Sequence, residues 1–245
     1  MKEIQSLNNE LIKKVCKLKD KKERYKRQEF IVEGYHLVEE AYKKQFLKTI
    51  FTTDNSVKIN VESYFVTKDI IKKLSSTMTP QGIIGVCKMK ESADIIGNHY
   101  LLLDNVSDPG NLGTLIRSSI GFGIDTIILS NDSVDIYNEK VMRSTQGAIF
   151  NANILYSDLP SVIERLKEQQ VTIVGTSLQS SIDLKEISNL SKYAIVLGNE
   201  AKGVRKDILD LTDVNVKIRI SEQLESLNVA VATSIILYEQ FEKNE

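Results

Sequence analysis

The sequence predicts an α/β protein with a small N-terminal α/β domain over residues 1–95 and a larger domain over residues 99–245. Apolar runs of strand length alternate with helical patterns along the whole chain. In the second half, helices separate the short strands, which is typical of a parallel sheet covered on both faces. The mostly polar residues 88–99 mark the predicted linker.

The N-terminal domain begins with a predicted amphipathic helix behind the capping candidates Asn8 and Asn9. Its apolar positions, at helical spacing, are Leu11, Ile12, Val15 and Leu18. Later elements are predicted strands at residues 30–32, 49–53, 64–67 and 82–87, with a helix at residues 37–42 and another before residue 82.

The larger domain shows a longer alternation of the same kind. Its predicted strands lie near residues 101–103, 126–129, 153–156, 171–175, 193–197 and 214–220. Its predicted helices cover residues 111–122, 138–146, 159–169 and 227–242. No internal repeat is present in the sequence.

The composition excludes several protein classes. Hydrophobic residues make up 42% of the chain and charged residues 27%, as in an ordinary globular protein. No apolar stretch reaches the roughly eighteen residues of a membrane-spanning helix, and the N-terminus lacks an apolar signal core, so we expect a cytoplasmic protein. Cys16 and Cys87 stand far apart, and the two histidines, His36 and His99, lie near no partner in sequence. We therefore expect neither a disulfide framework nor a metal site.

The charge is distributed unevenly along the chain. Residues 1–97 contain 19 Lys and Arg against 13 Asp and Glu, a net charge of +6, while the remainder carries −7. Nine basic residues against two acidic ones fall within residues 13–27. RNA phosphate and plain solvent are equally consistent with this basic helix face. The candidate RNA contacts in this segment are Lys14, Lys17, Lys21, Lys22 and Arg24.

A glycine-rich dinucleotide fingerprint is absent. The nearest match, Gly121-Phe122-Gly123, precedes a strand instead of following one, and Thr126 stands where the third glycine belongs. If the domain binds an adenosyl cofactor, it must therefore do so in some other way.

The first candidate motif follows a predicted strand and enters a helix. Asn111 is the expected N-cap after the turn at Pro109-Gly110. Gly113, Arg117 and Gly121 recur every four residues, so that a long cation is flanked by positions without side chains. Close approach of a ligand to Arg117, or tight packing with Arg117 bonded to a carboxylate, fits this spacing equally well.

Two further motifs follow predicted strands. Glu200 lies in a glycine loop after residues 193–197, where open α/β sheets place ligands, although it could also cap a helix. Ser226 is the expected N-cap of a helix that is apolar on nearly every side, which indicates burial in the core or in a subunit interface. A capping role for Ser226 does not explain why a second polar residue, Asn228, stands at the start of the same apolar helix.

Together these segments resemble the SpoU (TrmH-like) family of RNA ribose methyltransferases, within the knotted SPOUT class. The matching residues are Asn111, Gly113 and Arg117; Leu197, Gly198, Glu200, Gly203 and Val204; and Ser226, Leu227, Asn228 and Val229. Residues 140–148 resemble the family's segment between the first two motifs and add Arg143 as an RNA contact. Residues 17–24 and 30–38 resemble its substrate-binding domain.

The resemblance implies a deep trefoil knot, a homodimer formed through the C-terminal domain, and S-adenosylmethionine as the cofactor. The implied cofactor-binding residues are Thr176, Gly198, Asn199, Ile218, Ile220 and Leu227. The implied catalytic residues are Arg117, Asn111, Glu200, Ser226 and Asn228. The implied substrate is a ribose 2′-hydroxyl, in 23S rRNA because of the attached N-terminal domain.

Arg219 and Glu222 depart from the family pattern, since proline and glycine are usual at these positions. We expect cofactor binding to survive because such loops hold the cofactor through main-chain groups.

Three alternatives for the function stay open at this point. The chain could be a non-catalytic RNA-binding or ribosome-assembly factor on the same fold, a tRNA ribose methyltransferase, or a base methyltransferase of the same class.

Overall fold

A computed structural model describes residues 1–90, 93–177, 181–187 and 189–244. The chain forms two compact units, one of Met1–Glu91 with Asp135–Asn151 and one of Ser92–Val134 with Ala152–Glu245. Residues 135–151 thus pack with the N-terminal part, a feature that the sequence did not reveal. The predicted division into residues 1–95 and 99–245 stays a prediction.

The helices and strands alternate along the described chain. The strands are β1 Lys2–Ile4, β2 Glu29–Glu33, β3 Leu47–Thr52, β4 Glu62–Val66, β5 Ile83–Lys88, β6 His99–Leu103, β7 Thr126–Leu129, β8 Ile154–Tyr156, β9 Thr172–Thr176, β10 Ile182–Asp183, β11 Tyr193–Leu197 and β12 Val214–Lys217. The helices are α1 Glu10–Cys16, α2 Lys21–Arg27, α3 Tyr35–Lys43, α4 Lys68–Leu74, α5 Pro109–Gly121, α6 Glu139–Thr145, α7 Leu159–Glu168, α8 Lys206–Leu209 and α9 Val229–Asn244.

The first unit contains a five-stranded mixed sheet in the order β1-β4-β3-β5-β2. Strand β5 runs antiparallel to both β2 and β3, while β4 pairs in parallel with β1 and β3. Apolar side chains of α1 and α4 pack on one face of this sheet; Ile12, Ile70 and Leu74 are completely buried there. The predicted stripe of apolar residues on the first helix is therefore confirmed.

The second unit is built on a seven-stranded sheet in the order β10-β12-β9-β11-β6-β7-β8. Every described strand pair in it is parallel. The central strands are apolar throughout, because helices cover both faces of such a sheet; all residues of β7 and β11 are buried. The parallel sheet is thus confirmed, and the trefoil knot stays a prediction.

Several local features differ from the sequence-based expectations. The predicted first helix is interrupted at Asp20, whose carboxylate accepts the backbone N–H groups of Lys22 and Glu23 and so begins a second helix. The short elements β1, β10 and α8 were not predicted, since segments of two to four residues carry too little periodicity to be recognised.

Arg24 is buried in the first unit, so its predicted contact with RNA is wrong. Its Nε donates to Asp135 Oδ2 at 3.2 Å, and its Nη1 donates to the carbonyl oxygen atoms of Leu18 and Lys19 at 2.9 and 2.8 Å. The Tyr25 hydroxyl donates to the other Asp135 oxygen at 3.0 Å. Burial, reinforced by the Asp135 charge, raises the pKa of Tyr25. Arg24 therefore anchors residues 135–151 within the unit.

None of the helices in the described part of the chain is both long and apolar enough to cross a membrane. The described residues likewise contain no group of three or more His, Cys, Asp or Glu side chains suited to a metal ion.

Replacing Asp135 by asparagine leaves the buried Arg24 charge without its counter-ion. We expect the variant to lose about 3–5 kcal/mol of unfolding free energy, measured by urea denaturation with circular dichroism. The control is Asp132→Asn, an exposed carboxylate three residues earlier, which should stay within about 0.5 kcal/mol of the parent. Equal stability of both variants would contradict the buried ion pair.

Candidate active site

A cavity of about 540 Å³ lies in the second unit beyond the carboxyl ends of β9, β11 and β12. Three loops form most of its wall: residues 197–204, residues 217–220 and residues 225–229. The structure brings all six predicted cofactor residues to this cavity, namely Thr176, Gly198, Asn199, Ile218, Ile220 and Leu227. Parallel sheets place ligands at this edge because their helix-connecting loops converge there.

The first of these loops is unusually tight. The backbone groups of Asn199 and Gly203 exchange two hydrogen bonds, at 3.0 and 2.9 Å, and Gly203 adopts a positive φ of 72°. A Cβ atom at Gly198 would lie 2.0 Å from the carbonyl carbon of Gly203, so no larger residue fits there. The glycines of this motif therefore serve the shape of the loop.

Glu200 organises the surroundings of this loop. Its carboxylate accepts the Ser107 hydroxyl at 3.0 Å, the Asp108 backbone N–H at 3.1 Å and the Asn111 side-chain amide at 3.1 Å. Burial disfavours the charged form, but the backbone and side-chain donors outweigh it and hold the pKa of Glu200 below its ordinary value. Glu200 does not cap the following helix; it ties its loop to the start of α5.

Asn111 extends this network to the last helix. While its Nδ2 donates to Glu200, its Oδ1 accepts the side-chain amide of Asn228 at 3.0 Å. The Oδ1 of Asn228 in turn accepts the backbone N–H of Ala230 at 2.9 Å, at the first turn of α9. Glu200, Asn111 and Asn228 thus form one hydrogen-bonded chain across three separate motifs.

Two predicted helix caps are wrong. Asp108, not Asn111, caps α5, because its carboxylate accepts the Asn111 backbone N–H at 2.8 Å and leaves the Asn111 side chain free to bridge. Asn228, not Ser226, caps α9. Ser226 is exposed and lines the cavity. In both cases the residue that caps the helix lies two or three positions from the expected one. The direction of each polar side chain determines which residue accepts the free backbone N–H groups.

Sequence reasoning missed a buried carboxylate beneath the cavity loop. Asp104 is 1% exposed and accepts the backbone N–H and the Nε of Arg205 at 2.9 and 3.0 Å. Its position directly after the apolar strand β6 was the available signal. The ion pair fixes the end of the 197–204 loop against the neighbouring strand.

Arg117 lies on α5 with an exposed side chain. It forms no ion pair or hydrogen bond with any residue in the described part of the chain, so the alternative of tight packing against a carboxylate is not observed there. Gly121, one turn later, is also open, since a Cβ atom there would meet nothing within 4 Å. Arg117 does not line the cavity of its own chain.

The two departures from the family pattern lie on the surface. Arg219 Nη2 pairs with Asp183 Oδ2 at 2.9 Å, which links the 217–220 loop to β10. Glu222 is exposed. The cavity is still lined by Ile218 and Ile220, on either side of Arg219. An arginine at position 219 is therefore compatible with the predicted lining.

The cavity suits an adenosyl sulfonium ligand. Its volume lies within the range of about 300–1,000 Å³ that is usual for small-molecule sites. Its wall combines apolar side chains, such as Leu209, Val216 and Ile236, with the loops around Gly198 and Ile218, whose main-chain groups line the cavity. This combination offers an apolar surface for a base and main-chain hydrogen bonds for its edges.

The candidate RNA contacts lie in the first unit. Lys14, Lys17, Lys21 and Lys22 are exposed. Arg143 is half-buried, and its Nη1 donates to the Ser76 hydroxyl at 2.9 Å. The four lysines remain available to an anion, in contrast to Arg24.

Comparisons with known proteins identify the family of the chain. The model of the SpoU rRNA Methylase family matches residues 98–238, and that of the MRM3-like substrate binding domain matches residues 9–85. The 23S rRNA (guanosine(2553)-2′-O)-methyltransferase RlmP of Bacillus subtilis is 38% identical, over 97% of this chain and 98% of the relative. An uncharacterised tRNA/rRNA methyltransferase of Synechocystis is 31% identical, over 96% of this chain and 92% of the relative.

Among solved structures, the AdoMet-bound rRNA methyltransferase from Sinorhizobium meliloti superimposes with a TM-score of 0.88 at 29% identity. The match covers 98% of this chain and 97% of that one. The chain therefore belongs to the SpoU rRNA methylase family and carries an N-terminal MRM3-like substrate-binding domain.

Proposed function

We propose that this protein methylates a ribose 2′-hydroxyl of ribosomal RNA with S-adenosylmethionine as donor. The observation that carries the proposal is the cavity of six predicted cofactor residues beside the chain Glu200–Asn111–Asn228. A non-catalytic RNA-binding factor has no need of this hydrogen-bonded chain, because its basic surface alone would hold RNA.

The residues have separate tasks in this proposal. The bound cofactor supplies a methyl group on a sulfonium, which carries the electrophilic carbon. The loops around Gly198 and Ile218 orient it, and the amides of Asn111 and Asn228 position the ribose in line with the methyl–sulfur bond. The bound sulfonium would give its methyl group to the ribose hydroxyl oxygen and would leave as a neutral thioether, while the hydroxyl proton would pass to water or to a phosphate oxygen.

Arg117 acts by charge. A guanidinium holds its proton too tightly to serve as a general base at neutral pH. It instead grips the phosphate next to the target ribose and stabilises the negative charge that develops on the attacking oxygen. Its exposure and its freedom from partners within the described chain leave the whole group available for this task.

A second copy of the chain completes the site. The exposed face of α9 carries Val231, Ile235 and Tyr238, which are 49%, 39% and 50% exposed and recur at helical spacing. Thr114 of α5 lies in the same apolar patch, one turn before Arg117. An apolar patch on a helix pair is typical of a subunit interface. In such a homodimer Arg117 reaches the cavity of the partner subunit.

The B. subtilis relative supports 23S rRNA as the substrate and suggests its modified guanosine as the first nucleotide to examine. If this chain acts on 23S rRNA as its bacterial relative does, it works in the cytoplasm. A tRNA methyltransferase would differ in the RNA that it labels, and a base methyltransferase would differ in the methylated nucleoside that digestion releases.

The reaction is tested by incubating the protein with isotope-labelled S-adenosylmethionine and unmodified 23S rRNA, followed by digestion to nucleosides. We expect label in a 2′-O-methylated nucleoside. Arg117→Ala should lower kcat by about a hundredfold to a thousandfold, while calorimetry shows cofactor affinity close to that of the parent. Label in a methylated base, or full activity of Arg117→Ala, would contradict the proposed chemistry.

The dimer is tested by placing a charge in the apolar patch of α9. Because an unpaired carboxylate is costly to bury, Ile235→Glu should sediment as a monomer, whereas the parent sediments as a dimer. Ile96→Glu changes an exposed isoleucine outside the patch and should leave the dimer intact. A monomeric parent protein would refute the dimer.

A further inference from the structure

The loop Ser75–Thr79 of the first unit combines an anchored base with an apolar tip. The hydroxyl groups of Ser75 and Thr77 donate to the Glu33 carboxylate at 2.8 and 2.7 Å. Ser75 is buried, whereas the side chain of Met78 is fully exposed. Hydrogen bonds therefore fix the position from which Met78 projects into solvent.

Two cations hold this loop from different elements. Lys19 Nζ donates to the carbonyl oxygen of Ser75 at 2.6 Å, and Arg143 Nη1 donates to the Ser76 hydroxyl at 2.9 Å. An ammonium has three N–H donors and a guanidinium has five, so both groups keep donors for an anion. Glu33, the carboxylate that contacts the loop, already accepts its hydroxyl groups. Glu33 keeps its negative charge, so the loop is apolar at its tip, and Lys19, Arg143 and Glu33 together leave a net charge of +1 around it.

Two exposed ring side chains lie at the start of α3, directly after Glu33 and Gly34, which contact residues 75–81. The Gln81 side chain packs against Gly34, where a Cβ atom would lie 2.6 Å from its Oε1. Tyr35 and His36 follow Gly34 directly and are exposed. The Nε2 of His36 lies 3.1 Å from the carbonyl oxygen of Gln146, which directly follows α6. Contacts of this kind connect the loop, α3 and α6 within the first unit.

We propose that this surface, defined by Tyr35, His36 and Met78 with Lys19 and Arg143, binds unpaired nucleotides of the RNA substrate. The inference rests on the proposed function and extends it to a second contact region. An unstacked base has an apolar face that packs on rings and on a polarisable thioether, while the neighbouring phosphates need cations. A single exposed apolar side chain is common on surfaces. The combination of a fixed loop, rings and two cations is what selects single-stranded RNA.

A duplex is the informative comparison, because its bases are stacked and present only backbone and groove edges to such a loop. The dissociation constants of the full chain are measured for a single-stranded RNA of mixed sequence and for a duplex RNA, over a series of salt concentrations. Met78→Ala should weaken binding of the single strand about fivefold. It should not change the salt dependence or the affinity for the duplex.

Arg143→Ala tests the electrostatic half of the same surface. Loss of one phosphate contact should weaken the binding of both RNAs and reduce the slope of log affinity against log salt by about one. The matched controls are Lys44→Ala, an exposed cation directly after the other end of α3, and Ile96→Ala, an exposed apolar residue of the second unit. Both controls should bind RNA like the parent.

Unchanged single-strand binding by Met78→Ala, or an equal loss on the duplex, would overturn the assignment of this surface. Circular dichroism verifies that the exposed substitution leaves the fold intact. Methyl transfer is measured in parallel with the parent protein. A parent protein that binds RNA through Met78 but methylates none would refute the proposed enzyme and still support the RNA surface.

Discussion

The carboxylate of Glu200 is the point on which the geometry of the second unit depends. It accepts donors from the segment before α5 and from Asn111, and Asn111 passes the connection on to Asn228. The loop after β11, the start of α5 and the start of α9 are far apart in sequence, and this chain of hydrogen bonds joins them. The cavity wall and the polar residues beside it therefore keep a fixed mutual position.

The same constraint determines where Arg117 can act. It follows Asn111 by six residues, which corresponds to about 9 Å along α5 and about 120° around its axis. With Asn111 held toward Glu200, Arg117 must leave the helix on another side, where it lies exposed near the apolar patch of α9. The fold thus directs Arg117 away from the cavity of its own chain and places it near an exposed apolar face. For this reason we propose a site shared between two subunits.

Much of this could be predicted from the sequence, and the failures have local causes. The parallel sheet and the strands at residues 126–129 and 193–197 followed from apolar runs, which report burial directly. The roles of Asn111 and Ser226 did not, because several polar residues near a helix start compete for the cap and only side-chain direction decides among them. Arg24 was grouped with its basic neighbours because the sequence around it does not indicate that Asp135, 111 residues later, forms a buried ion pair with it.

The measurement that tests the shared site most directly mixes two inactive variants, Arg117→Ala with an intact cavity and Ile218→Glu with an intact arginine. If Arg117 acts in the cavity of the partner subunit, each mixed dimer contains one complete site. Random exchange of subunits should then restore about one quarter of the parent activity. A mixture that stays as inactive as its two components would show that arginine and cavity must belong to one chain, and the shared site would be wrong.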